Sequence, residues 1–148
     1  MTSTETPILI DTNIWIEHFK SANKEVSALL EAGRVVMHPF IVAELALGGL
    51  RDRRMTLASL EFLPELPVAE LPEVRQLIEM RKLYTEGIGL VDAHLIASLM
   101  IVHTPTELWT DDGGLTRVAG KLGFLATHLR KNSPSRGKVK GHDFQSCH

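Results

Sequence analysis

Short apolar runs alternate with amphipathic stripes along this chain, and that alternation leaves few folds open to it. Pro7-Ile8-Leu9-Ile10 ends at Asp11, Val35-Val36-Met37 forms a second run, and Glu107-Leu108-Trp109-Thr110 a third. Runs of this length with turn formers around them read as strands. Between them the period changes to that of a helix. Val26, Leu29 and Leu30 mark an i, i+3, i+4 stripe that Gly33 stops. Pro39 opens a helix through Phe40 to Leu47, because its missing N–H costs nothing in a first turn, and Gly48-Gly49 closes it. A helix from about Arg51 to Phe62 is followed by a weak strand near Leu66 to Val68. Pro72 then starts a helix with Val74, Leu77, Ile78 and Arg81 on one face. Tyr84 to Gly89 reads as a loop, and a helix resumes from about Val91 to His103. The last stripe, Leu115, Val118, Ala119 and Leu122, ends at Gly123. Strands separated by helices are joined by crossovers, so the expected class is α/β with a mainly parallel sheet.

The 148 residues suffice for one domain with a real hydrophobic core, expected over residues 1–130. From Lys131 onward Asn, Ser, Pro, Gly and Lys dominate, and residues 131–148 are expected to form a flexible tail. Ile88 to Val102, the longest mostly apolar stretch, is too short for a bilayer and carries Asp92. The opening MTSTETP is polar and shows no signal peptide. Cys147 is the sole cysteine, so no internal disulfide can form. A soluble, cytoplasmic protein with no membrane segment is the expectation. The net charge of −2 argues against a protein that holds nucleic acid by phosphate neutralisation alone. It does not argue against a nuclease, whose acidic centre offsets basic groups elsewhere, such as the Arg51, Arg53 and Arg54 cluster.

The carboxylates stand in unusual places. Asp11 directly follows Ile8-Leu9-Ile10. Glu44 is the one charge between Phe40 and Gly49, and Asp92 the one acid between Ile88 and Val102. Helical spacing puts Leu95, Ile96, Leu99 and Met100 on the face of Asp92, so that carboxylate belongs to the N-terminal end of a buried face. An ionised carboxylate buried without a partner costs about several kcal/mol, and no lysine or arginine lies beside these in sequence. A divalent cation would compensate them together. In a parallel α/β sheet, strand C-termini and the following helix N-termini converge on one crevice, and Asp111 and Asp112 also follow a strand. Singly, each acid has a plainer reading. Asp11 can cap a helix, Asp92 suits a first turn, and Asp111-Asp112-Gly113 suits any turn. Glu44, in mid-helix, gains nothing from capping.

At these residues the sequence resembles PIN-domain nucleases, and more closely the VapC toxins of bacterial toxin–antitoxin pairs. The resembling text is Asp11-Thr12-Asn13-Ile14-Trp15-Ile16, His38-Pro39-Phe40 leading to Glu44-Leu45-Ala46-Leu47-Gly48, Gly87 through Leu95, and Leu108-Trp109-Thr110-Asp111-Asp112. These blocks run in order over about residues 7 to 125. The resemblance implies an α/β/α sandwich, a carboxylate cluster holding Mg²⁺ or Mn²⁺, and hydrolysis of RNA phosphodiesters. It implies Asp11 and Asp92 as principal metal ligands, Glu44 as the third acid, and Asp112 in preference to Asp111 as the fourth, with Asn13 and Thr110 as hydrogen-bonding neighbours. A cognate antitoxin and a homodimer are implied too. The Arg51–Arg54 cluster is a candidate RNA contact, against a solvated helix face as the plainer reading.

The seven histidines show no zinc-ligand spacing. His38 reads as structural, and Trp15 and Trp109 as core. Two rival functions stand beside this one: a phosphate-handling α/β enzyme using Asp11 as nucleophile, and a non-catalytic module that keeps the fold and acts through a partner. The first needs a lysine in a pattern the sequence does not offer. The second predicts loss of a site acid, and all four positions are filled.

Overall fold

The computed structural model describes residues 5–130, so the expected tail over 131–148 lies outside the described residues. Strand β1 spans Ile8–Ile10, β2 Val35–Val36 and β3 Glu107–Trp109. The helices are α1 (Thr12–Lys20), α2 (Lys24–Glu31), α3 (Pro39–Ala46), α4 (Arg53–Glu61), α5 (Leu71–Met80), α6 (Leu90–Ile101), α7 (Gly113–Leu122) and α8 (Thr127–Arg130). The strand order is β2-β1-β3, with both pairings parallel, Leu9 standing between Val36 and Leu108. Single parallel bridges, Met37 to Glu65 and Leu108 to Leu125, extend the sheet by one rung on either side. Ile8, Leu9 and Ile10 are fully buried although consecutive side chains point to opposite faces. Both faces of β1 are therefore covered, which is why a central parallel strand reads as an unbroken apolar run. The result is the expected α/β/α sandwich.

Local chemistry sets the helix ends. Asn23 caps α2 through bonds from the Glu25 and Val26 N–H groups, and Glu70 and Glu73 form a capping box on α5. Gly123 ends α7 at a φ of 84°, the left-handed conformation that suits glycine. On α6, Ala93 through Leu99 are buried, so this helix runs through the core. No helix among the described residues is long and apolar enough to cross a membrane.

Four expectations need correction. The strand near Leu66 to Val68 reduces to the bridge at Glu65, where the Leu66 N–H donates to the Met37 carbonyl at 2.9 Å. Pro67 follows and has no N–H to continue the ladder. Arg81 does not share the packed face of α5; it is the C-cap and exposed, and Lys82 follows at a φ of 52°. The Tyr84 to Gly89 loop begins inside a 3₁₀ turn over Leu83–Thr85. Met100 is 39% exposed, because burial along α6 stops at Leu99.

Candidate active site

The site grows from the C-terminal end of β1. Ile8-Leu9-Ile10 completes its pairing when the Asp11 N–H donates to the Trp109 carbonyl at 3.0 Å, and the chain then turns into α1. Asp11 is the N-cap of that helix, and its Oδ1 accepts the Thr12 N–H at 2.8 Å. Its Oδ2 accepts the hydroxyl of Thr110, which is fully buried just past β3, at 2.7 Å. Thr110 Oγ1 in turn accepts the Asp112 N–H at 3.1 Å. Asp112 caps α7, taking the Leu115 N–H on Oδ2 at 2.9 Å. The capping reading of Asp11 thus holds, Asp112, read as part of a turn, proves to be a cap too, and the two caps anchor both acids at one end of the sheet.

Glu44 reaches this end from α3. Its Oε1 accepts the Thr12 hydroxyl at 2.6 Å, so Thr12 touches two acids, one through its backbone and one through its side chain. Sequence reasoning passed over Thr12. The signal was there: a hydroxyl immediately after an acid that ends a strand. Thr12 makes the bonds that were expected of Asn13, which lies half-buried in the first turn of α1. Asp92 enters from the first turn of α6, where the Gly89 backbone hydrogen-bonds to its carboxylate. This is the acid-to-N-cap half of a capping box.

The electrostatics show that the four acids converge. Burial pushes the Asp11 carboxyl up to about 6, against the Thr110 and Thr12 hydrogen bonds, and the charges of Glu44 and Asp112 add to the rise. Asp92 is pushed up to about 7, by burial first and then by the charges of Asp11, Asp112 and Glu44. The Asp112 charge acts on both. Among the described residues, none of the four is in an ion pair with Lys, Arg or His.

A hard divalent ion would suit this donor set: four carboxylates, two of them raised first by burial and further by one another's charge, with no cation paired to them among the described residues. The acids do not, however, form a finished ligand sphere. Among the described residues, no three His, Cys, Asp or Glu side chains stand close enough to hold an ion. Fit is therefore established in charge and in oxygen chemistry, and not in ligand spacing.

Buried histidine chemistry supports the site from behind. His38 caps α3: its Nδ1 accepts the Phe40 N–H at 3.0 Å, which leaves the proton on Nε2, 3.0 Å from Ser98 Oγ in α6. The helix carrying Glu44 is thereby fastened to the helix carrying Asp92. Burial, with His94 nearby, lowers His38 to about 4, so the ring is neutral. The structural reading of His38 is correct, as is the core reading of Trp15 and Trp109, both buried. The arginine cluster divides. Arg53 donates to the carbonyls of Ala46 at 2.5 Å and Gly48 at 3.2 Å and so closes α3, while Arg51 and Arg54 are exposed. Arg53 is exposed as well, with its guanidinium engaged at the end of α3.

Comparison with known proteins agrees with this fold. The PIN-domain family model matches residues 8–121. The chain is also similar to Ribonuclease VapC32 of two Mycobacterium tuberculosis strains, CDC 1551 / Oshkosh and ATCC 25618 / H37Rv. Each is 37% identical over 116 residues, covering 78% of this chain and 93% of the relative.

Proposed function

This chain belongs to the PIN-domain family, and from that premise we propose that it is a divalent-metal-dependent endoribonuclease, the toxin of a toxin–antitoxin pair. The observation that carries this reading is the convergence of Asp11, Glu44, Asp92 and Asp112 from four separate elements, with no cation paired to any of them among the described residues. Mg²⁺ or Mn²⁺ is the natural ion, since both prefer oxygen ligands and leave positions for water and phosphate. Asp11 and Asp92 would be its principal ligands, with Glu44 and Asp112 completing the set. When bound, the ion supplies a water of lowered pKa, polarises the phosphoryl oxygen and offsets charge that develops in an in-line displacement.

The chain's own residues do the rest. Thr110 and Thr12 hold the Asp11 oxygens in a fixed direction, and Thr12 keeps Glu44 turned toward the same corner. Asn13 borders the site as a further polar group. Arg51 and Arg54, on the exposed surface near the start of α4, are available to RNA phosphates. A cognate antitoxin that blocks the acidic crevice, assembly as a homodimer and a cytoplasmic setting, where cellular RNA lies, complete the reading.

The test is cleavage of a mixed cellular RNA pool by the purified chain, with Mn²⁺ or Mg²⁺ against EDTA, beside Asp92→Asn. Discrete fragments that need the metal and vanish in the variant are expected. Cleavage that persists in EDTA, or equally in Asp92→Asn, would sink the assignment.

A further inference from the structure

Away from the four acids, one contact joins the approaches to two of them. Glu86 lies in the loop between the 3₁₀ turn and α6, six positions before Asp92 in the chain. Its Oε2 accepts Lys121 Nζ at 2.7 Å and its Oε1 faces Arg117 Nε at 3.4 Å. Its backbone carbonyl accepts Arg117 Nη2 at 3.0 Å. Arg117 and Lys121 stand one turn apart on α7, the helix that Asp112 caps. The Glu86 side chain is only 12% exposed, whereas those of Arg117 and Lys121 are 58% and 66% exposed. Two surface cations thus close over one nearly buried acid, which they hold below its usual carboxylate range, chiefly through the Lys121 hydrogen bond.

Beneath this pair the backbones touch. A Cβ on Gly114 would lie 2.9 Å from the Glu86 carbonyl oxygen, 3.0 Å from Ile88 Cγ2 and 3.6 Å from Asp112 Oδ2. Only glycine permits that approach. Gly113, its neighbour, has no such constraint: a Cβ there would meet only the tip of Arg117, at 3.8 Å. The loop that leads into Asp92 is therefore pressed against the first turn of α7, where Asp112 sits, and pinned there by charge.

We propose that Glu86 and Gly114 are positioning residues, a clamp from the Asp92 loop to α7 that sets the separation of Asp92 and Asp112 and so tunes divalent-ion affinity. The inference rests on the ribonuclease reading, which supplies the ion, while its residues lie outside the four acids and their hydrogen-bonded threonines. The clamp holds two ligand-bearing segments in register without touching the ion. Groups in that position typically change metal affinity by about 10- to 100-fold when removed.

The experiment is titration of the full chain with Mn²⁺ by calorimetry, wild type beside Gly114→Ala, Gly113→Ala and Glu86→Gln. Helix propensity favours alanine over glycine at both positions alike, so a difference between the two alanine variants isolates the close approach. The expected result is Mn²⁺ binding about 10-fold weaker in Gly114→Ala and in Glu86→Gln, and unchanged in Gly113→Ala. RNA cleavage should then need correspondingly more Mn²⁺, with the rate recovering at saturation, which a general loss of structure would not produce. If Gly114→Ala fails to fold, Glu86→Gln decides alone. A wild type that binds Mn²⁺ no better than these folded variants overturns the clamp and leaves the ribonuclease reading standing. A wild type that binds no divalent ion and cuts no RNA overturns both.

Discussion

Asp11 ends the central strand with 7% of its surface exposed, whereas Asp92 sits half-buried in the first turn of α6. Burial raises both carboxyls, yet the deeper one reaches only about 6 and the shallower about 7. Donors make the difference. Asp11 receives the Thr110 hydroxyl and the Thr12 N–H, one on each oxygen. Asp92 has a hydrogen bond from the Gly89 backbone and bears the charges of three other acids. The sheet end supports its carboxylate in the charged form, while the helix start gives its carboxylate less support. Depth alone does not rank buried acids; the supply of N–H and O–H groups does.

The largest effect expected is on cleavage, where Asp11→Asn and Asp92→Asn should each lose about 100-fold or more, measured on a defined RNA with saturating Mn²⁺. Stability without metal should separate the two. At pH 8, Asp92→Asn removes an uncompensated charge and should melt on the order of 5 °C above wild type. Asp11→Asn should gain less, because its amide nitrogen faces one of the two donors the carboxylate accepted. Equal gains by thermal melting would break the comparison.

Next in size is pH dependence. An unfolded aspartate titrates near 3.9, and both carboxyls are raised above that in the folded chain. Between about pH 4 and 7 the folded state therefore binds more protons than the unfolded one, so the contribution of these groups to stability falls as pH rises through that window. Between pH 5 and pH 8, metal-free wild type should lose stability relative to an Asp11→Asn, Asp92→Asn double variant, which keeps the opposite contribution of His38, and Mn²⁺ should raise the wild-type melting temperature more at pH 8. A larger Mn²⁺ effect at pH 5 would contradict both raised carboxyls.

Thr110→Val takes one donor from Asp11 and brings it closer to the condition of Asp92. Mn²⁺ binding should weaken about 10-fold by calorimetry, and an unchanged affinity would mean the donor supply is immaterial. The smallest effect belongs to Arg53→Ala at the far end of α3. Losing the caps on Ala46 and Gly48 should cost about 1 kcal/mol in denaturant unfolding and leave Mn²⁺ affinity untouched.

The sheet and the acids were legible for the same reason. A strand buried on both faces leaves an unbroken apolar run, and a carboxylate that interrupts or ends such a run stands out, as Asp11, Glu44 and Asp92 do. What escaped was carried by small polar side chains acting across the chain. The Thr12 hydroxyl meets Glu44, 32 residues away, and His38 meets Ser98, 60 residues away. Neither pairing leaves a periodic mark. Arg53 belongs by composition to a basic cluster, but the carbonyls at the end of α3 were free to claim it. The strand after Leu66 failed on one atom, the N–H that Pro67 lacks. The sequence already favoured Asp112 over Asp111; what it did not show is the cap, in which Asp112 Oδ2 accepts the Leu115 N–H at the start of α7.

The lone bridges at Glu65 and Leu125 have a consequence for how copies of this protein behave toward one another. A long bare strand at a sheet margin is a template on which another chain can add itself, whereas a single rung closed by proline or by a helix offers too few hydrogen bonds to start one. The repulsion among the acids loads one end of the molecule, and the margins of the sheet remain sealed along its sides. Edges closed in this way offer a second copy little on which to build a fibre.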